Sequence, residues 1–274
     1  MSADHASNIN PGQQLQILLK QIYSPDAEES GSFVSKVDDA LIAEGELKQL
    51  VYDSTINYVL RRLITTAEFL KRSVEKNNLP ESRFIYKLRA FLSSQMHIPT
   101  DKVEHILALL ILCTKVSRKT PTPKMLSRIR KSATGRSGQM FCYICGIAVQ
   151  DSRQGVYDSA EVEHLWSNAM GGSNEDFNLK MSCLRCNKSK ASFIDASDYH
   201  YEEMSLVSHK DDEHFSTEMR RDYEVALWAK NDFKCMRCQK PAPIVGKLNF
   251  GRRNLDDSWH FLNIGVYCRE HAHE

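Results

Sequence analysis

Seven of the eight cysteines fall at spacings that could hold metal. Cys142-x-x-Cys145 and Cys183-x-x-Cys186 are two knuckles separated by 37 residues. A two-residue gap lets both sulfurs of a tight turn reach one tetrahedral ion at about 2.3 Å, and four thiolates leave no open position, so the ion would be a structural zinc. A thioredoxin-like redox pair would want a βαβ context that is missing here, and disulfides would want an oxidising compartment. Cys235-x-x-Cys238 with Cys268-x-x-His271 is a second set, of Cys3His type. His273 is the rival fourth ligand, and the match to the i, i+3 spacing of the other knuckles favours His271. The plain alternative for this set is buried thiols near a chain end. Cys113 sits in the apolar run 106–113 and reads as core packing.

Between the first two knuckles lie Glu161, Glu163-His164, Gly171-Gly172 and Asn178-Leu179, and just after them Asn187 and Lys190. This order resembles the HNH endonuclease family: acid–His, Gly-Gly, Asn-Leu, Cys-x-x-Cys, then His or Asn with a lysine three residues on. The resemblance spans about 142–193, roughly a fifth of the chain. It implies a ββα-metal fold, with a β-hairpin over 156–181 and a helix over 184–195. It also implies phosphodiester hydrolysis with His164 as general base and one Mg²⁺ or Mn²⁺ held by Glu163 and Asn187. In that pattern Asn178 pins the loop and orients the histidine, and Lys190 meets a phosphate.

The residue types suit the chemistry. Histidine ordinarily titrates near neutrality. Carboxylate and amide oxygens are hard donors that suit Mg²⁺. Hydrolysis of a phosphodiester needs an activated water and a cation to offset transition-state charge. Two departures stand out. The acid is Glu163 where aspartate is commoner, and its extra methylene shifts where a cation could sit. The final position is Asn187 rather than histidine, which favours an oxygen-loving ion. Glu161 would share a strand face with Glu163, as a supporting group or merely solvated.

The net charge of +1 hides a strong pattern. Residues 46–136 carry eighteen Lys/Arg against seven Asp/Glu, while 1–45 and 191–233 are acidic. The stretch 115–136 holds eight basic residues and no acid, including Lys124, Arg128, Arg130 and Lys131. Such a stripe suits a polyphosphate such as DNA; the alternative is a solvated helix face. In the insert before Cys268, Phe250, Trp259 and Phe261 with nearby Lys and Arg either bind nucleic acid or form the small core of a zinc ribbon.

The elements that position these groups change character near residue 135. Before it, apolar residues recur at three and four, which predicts helices over 13–23, 46–76, 82–96, 100–117 and 123–132. Thr100 or Asp101 is the expected cap of the fourth helix, and its 106–112 run should be buried nearly all round. After it, cysteine pairs, short strand-like pieces and Gly-Gly turns dominate.

The chain thus reads as an α-helical N-terminal domain followed by a ββα-metal HNH module with zinc knuckles and a C-terminal zinc-ribbon-like element. The expected division is 1–135 (helical, basic-faced, binding DNA or a partner), 136–195 (nuclease) and 196–274 (an acidic helical segment with the Cys3His element). With 42% apolar and 26% charged residues the chain falls outside the collagen-like, low-complexity and disordered classes. The longest apolar run is too short to span a bilayer, and the first 25 residues do not read as a signal peptide, so a cytoplasmic setting is expected. The expected function is a DNA endonuclease with two zinc ions, of the kind found in bacterial phage-defence or restriction systems. No G-x-x-x-x-G-K-[ST] phosphate loop is present, so a motor or targeting activity would come from a partner protein. The competing reading is a non-catalytic zinc module that binds nucleic acid or protein. A two-zinc adaptor with interleaved ligand pairs fits less well, because each set here is completed before the next begins.

Overall fold

The computed structural model describes residues 8–24, 45–96, 98–134, 138–150, 156–199, 220–257 and 259–272. His273, Arg136 and residues 200–219 of the acidic stretch 195–224 lie outside them. The chain forms two compact units. One runs to Thr120 and includes His164–Asn178; the other comprises Pro121–Glu163 and Leu179 onward.

The first unit is built from four helices, α1 (Pro11–Ile22), α2 (Gly45–Lys76), α3 (Glu81–Ser94) and α4 (Thr100–Val116). Their ends fall within two residues of the expected bounds. Pro11 opens α1, where its missing N–H costs nothing. Asn78, at φ 52°, with Pro80 breaks the chain between α2 and α3. The core joins Leu15 and Leu19 of α1, Leu60, Leu63 and Ile64 of α2, Leu88 and Leu92 of α3, and Ile106 and Leu110 of α4. Each such side chain contributes roughly 1.5–3 kcal/mol by leaving water. Two expectations need correction. Pro99, not Thr100 or Asp101, is the cap of α4; Asp101 stands in the first turn, where its charge suits the helix dipole. The 106–112 run is not buried all round, since Leu112 faces solvent.

The same unit contains the segment that follows His164. Two short 3₁₀ turns, Asn168–Met170 and Asp176–Asn178, shape it. The Leu165 N–H donates to Asn178 O at 2.8 Å and closes its base. Gly171 adopts φ +79°, and a Cβ there would stand 2.5 Å from Cys113 Sγ. Glycine is thus required twice over, for conformation and for close approach.

The second unit carries α5 (Pro123–Ala133), capped by the Thr122 hydroxyl, which accepts from Met125 N–H. β1 (Met140–Phe141) pairs antiparallel with β2 (Ala148–Val149), and β3 (Ala160–His164) pairs with β4 (Leu179–Cys183). Helix α6 (Leu184–Lys190) follows β4 directly. It is shorter than the expected 184–195, because Ala191 turns to φ +46°. Beyond it come α7 (Arg221–Lys230), α8 (Ala242–Val245) and an antiparallel pair, β5 (Asn249–Arg252) with β6 (Ile264–Tyr267). Trp259 and Phe261 are buried here and Phe250 stacks on Trp228, so these aromatics build a core. No helix among the described residues is long and apolar enough to cross a membrane.

Candidate active site and zinc sites

The β1–β2 turn presents Cys142 and Cys145, and the start of α6 presents Cys183 and Cys186. All four are buried, and their sulfurs lie within 4.8 Å of one another. The Cys145 and Cys183 sulfurs stand 4.0 Å apart, close to the roughly 3.8 Å edge of a tetrahedron with zinc–sulfur bonds of 2.3 Å. Burial pushes the Cys142 thiol up, a cost that a bound divalent cation would offset. None of the eight cysteines is in a disulfide. The donor set and its spacing therefore fit zinc.

A charged side chain touches this cluster. Arg221 Nη2 donates to Cys186 Sγ at 3.1 Å, Nη1 donates to Glu224 at 2.7 Å, and the guanidinium lies 4.6 Å from the Trp228 ring centroid. Burial opposes its charge, yet the Cys186 sulfur and Glu224 hold it above the usual arginine range.

The second cluster brings together Cys235, Cys238, Cys268 and His271, again within 4.8 Å. His271 presents Nδ1, which is 3.5 Å from Cys235 Sγ and 3.2 Å from Cys268 Sγ. The first knuckle presses on the same part of the second unit. A Cβ on Gly146 would meet Gly246 O at 2.3 Å, and Tyr143 packs edge-on against Phe233.

Glu163, on β3, is 4% exposed. Its Oε1 accepts from Lys190 Nζ at 2.7 Å and its Oε2 accepts from Tyr143 Oη at 2.6 Å. Burial, then the Glu163 charge, pushes the Tyr143 phenol well up, so it stays protonated and donates. Both carboxylate oxygens are thus engaged. This does not fit Glu163 as a direct ligand of Mg²⁺ or Mn²⁺ while Lys190 and Tyr143 hold it. Lys190, expected at a phosphate, is buried against this carboxylate. Among the described residues, the two cysteine-rich clusters are the only groups of three or more His, Cys, Asp or Glu placed to hold one ion.

His164 follows Glu163 as the last residue of β3. Its Nε2–H donates to Asn174 Oδ1 at 2.7 Å. An amide oxygen only accepts, so this contact calls for the proton on Nε2 and leaves Nδ1 as the acceptor nitrogen of the neutral ring. Asn178 is buried with every amide position used: Oδ1 accepts from Trp166 N–H at 2.8 Å and from Asn10, while Nδ2 donates to Trp166 O and Ser173 O. Asn187 is half-buried on α6, and Glu161 is half-buried on β3. On α5, Lys124, Arg128 and Lys131 are exposed and Arg130 is half-buried. Arg118, in the same basic stretch, is taken by Glu75 at 2.5 Å, an acid supplied by α2.

Tyr143, Asn174 and Arg221 escape a reading of the sequence. Tyr143 looks like a knuckle spacer and Asn174 like a loop residue after Gly-Gly. Only their partners reveal them.

Residues 142–193 match the family model of HNH endonuclease. No match was found among curated proteins or solved structures.

Proposed function

We propose that the chain is an endonuclease that hydrolyses phosphodiester bonds in DNA, with His164 as the general base. The observation that carries this reading is the hydrogen bond from His164 Nε2 to Asn174 Oδ1, inside a segment matching HNH endonuclease. With Nε2 donating, Nδ1 takes a proton from water and Asn174 steadies the charged ring that results. Asn178 holds the loop that carries Asn174. Lys190 and Glu163 neutralise each other and brace β3 against α6. A Mg²⁺ or Mn²⁺ ion would supply charge compensation at the phosphate and the leaving oxygen. Asn187 would offer it an amide oxygen, whereas Glu163 in its present pairing would not. The two cysteine clusters would hold zinc as structural sites, and its binding energy would count towards folding.

Lys124, Arg128, Arg130 and Lys131 would contact the DNA backbone. With about half of the eight basic residues of 115–136 on phosphates, log K should fall against log salt with a slope of about −3 to −4. A cytoplasmic setting in phage defence or restriction belongs to the same proposal.

The engagement of Glu163 by Lys190 favours a second reading, a zinc module that binds nucleic acid without cutting it. Incubation with supercoiled plasmid and Mg²⁺ separates the two. Nicked or linear product that EDTA prevents supports the nuclease; tight DNA binding with no product supports the module.

A further inference from the structure

We infer that Asn10, the N-cap residue just before helix α1, is a positioning residue for the loop that sets His164. The inference rests on the nuclease reading for its consequence but on separate contacts for its geometry.

Asn10 is 1% exposed. Its Oδ1 accepts from both Ser173 N–H and Ser173 Oγ–H at 2.8 Å. Its Nδ2 donates to Asn178 Oδ1 at 3.1 Å and to Gln13 Oε1 at 2.6 Å. Both donors and the acceptor oxygen of the amide are in use, so only a side chain with an acceptor and two donors fits. Of its three partners, Ser173 and Asn178 belong to the loop. Ser173 directly precedes Asn174, whose Oδ1 accepts from His164. Asn178 binds both the N–H and the carbonyl of Trp166, two residues after His164.

A second contact ties α1 to the same loop. The Gly12 N–H donates to Gly171 O at 3.2 Å, and a Cβ on Gly12 would stand 1.9 Å from Met170 O. Glycine at position 12 thus permits backbone-to-backbone approach. The start of α1 is therefore a built part of the His164 loop, and the loop takes this shape with α1 in place. Aspartate at position 10 would place a second acceptor against Asn178 Oδ1, and alanine would leave Ser173 N–H and Oγ without their acceptor.

The test uses the full chain with Asn10→Ala, Asn10→Asp and the milder Ser173→Ala. Steady-state plasmid cleavage should show kcat reduced about ten- to hundredfold with KM little changed. Two readouts do not depend on cleavage. Amide hydrogen exchange at Ser173 and Trp166 should quicken in Asn10→Ala while that of α4 stays at the wild-type rate. The ¹⁵N signal of His164 Nε2 should move toward that of a ring no longer held by an acceptor. Should Asn10→Ala fail to fold, Ser173→Ala must show the same changes at smaller size. Wild-type exchange and an unmoved His164 signal in every folded variant would overturn the inference, as would faster exchange with unaltered kcat. A wild-type chain that cuts no DNA would overturn the nuclease reading, and the exchange and ¹⁵N readouts would still decide whether Asn10 sets the loop.

Discussion

Lys190 Nζ stands 2.7 Å from Glu163 Oε1, with the two side chains 5% and 4% exposed. A pair so buried repays its desolvation only while both partners are present. Lys190→Met alone and Glu163→Gln alone should therefore each destabilise, by about 3–5 kcal/mol, because each removes one partner of a buried ion pair. The double variant should cost clearly less than the two singles together. Urea unfolding of the zinc-loaded protein measures this coupling, and additive effects would show that the pair does not act as a unit.

Asn174 is expected to matter through the tautomer of His164. Asn174→Leu removes the acceptor of the Nε2 proton and should lower cleavage about ten- to hundredfold with zinc content unaltered. Asn174→Asp keeps an acceptor but adds a charge that favours the protonated ring. A ring that must be neutral to accept a proton then needs a higher pH, so the acid limb of the rate profile should move upward. A profile that stays in place, with a rate like wild type in both variants, would remove Asn174 from the mechanism.

The helices were legible because their apolar faces repeat over ten or more residues and Pro or Asn punctuates them, as at Asn78-Leu79-Pro80. Both cysteine clusters were legible because Cys-x-x-Cys is a local constraint that survives any packing. Other features left no such trace. Asn10 and Ser173 are small polar residues 163 positions apart, and no periodicity links them, so the packing of the His164 loop with the helices is invisible in one dimension. The pairing of Glu163 with Lys190 and Tyr143 depends on how β3 meets α6 and the knuckle, and the residue types alone fit a metal ligand equally well. The early end of α6 at Ala191 comes from a left-handed backbone at a residue that does not announce it.

Arg221 should guard the first zinc site. Its guanidinium donates to Cys186 Sγ and would offset part of the negative charge that four thiolates bring to one divalent ion. In Arg221→Met, loss of zinc to a chelator should quicken about tenfold or more for one of the two sites, with Arg221→Lys intermediate. The Cys235–His271 site serves as the internal reference. Equal release from both variants and wild type would show that the contact has no bearing on the metal.

Cys113 should be inert. Burial pushes its thiol up to about 12, and Gly171 packs closely against its sulfur. Because the raised value keeps the thiol neutral, iodoacetamide should leave it unmodified in the native protein at pH 8 and still at pH 9, yet label it after unfolding. Peptide mapping reads the site directly; labelling of Cys113 in the folded chain would contradict the packing described.

The proposed nuclease depends on His164, and the most direct measurement is the single-turnover rate of Mg²⁺-dependent plasmid cleavage by His164→Ala beside wild type, with zinc counted in both. Two zinc ions per chain in each protein, product from wild type and none from the variant is the predicted result. A variant that retains its zinc and cuts as fast as wild type would contradict it.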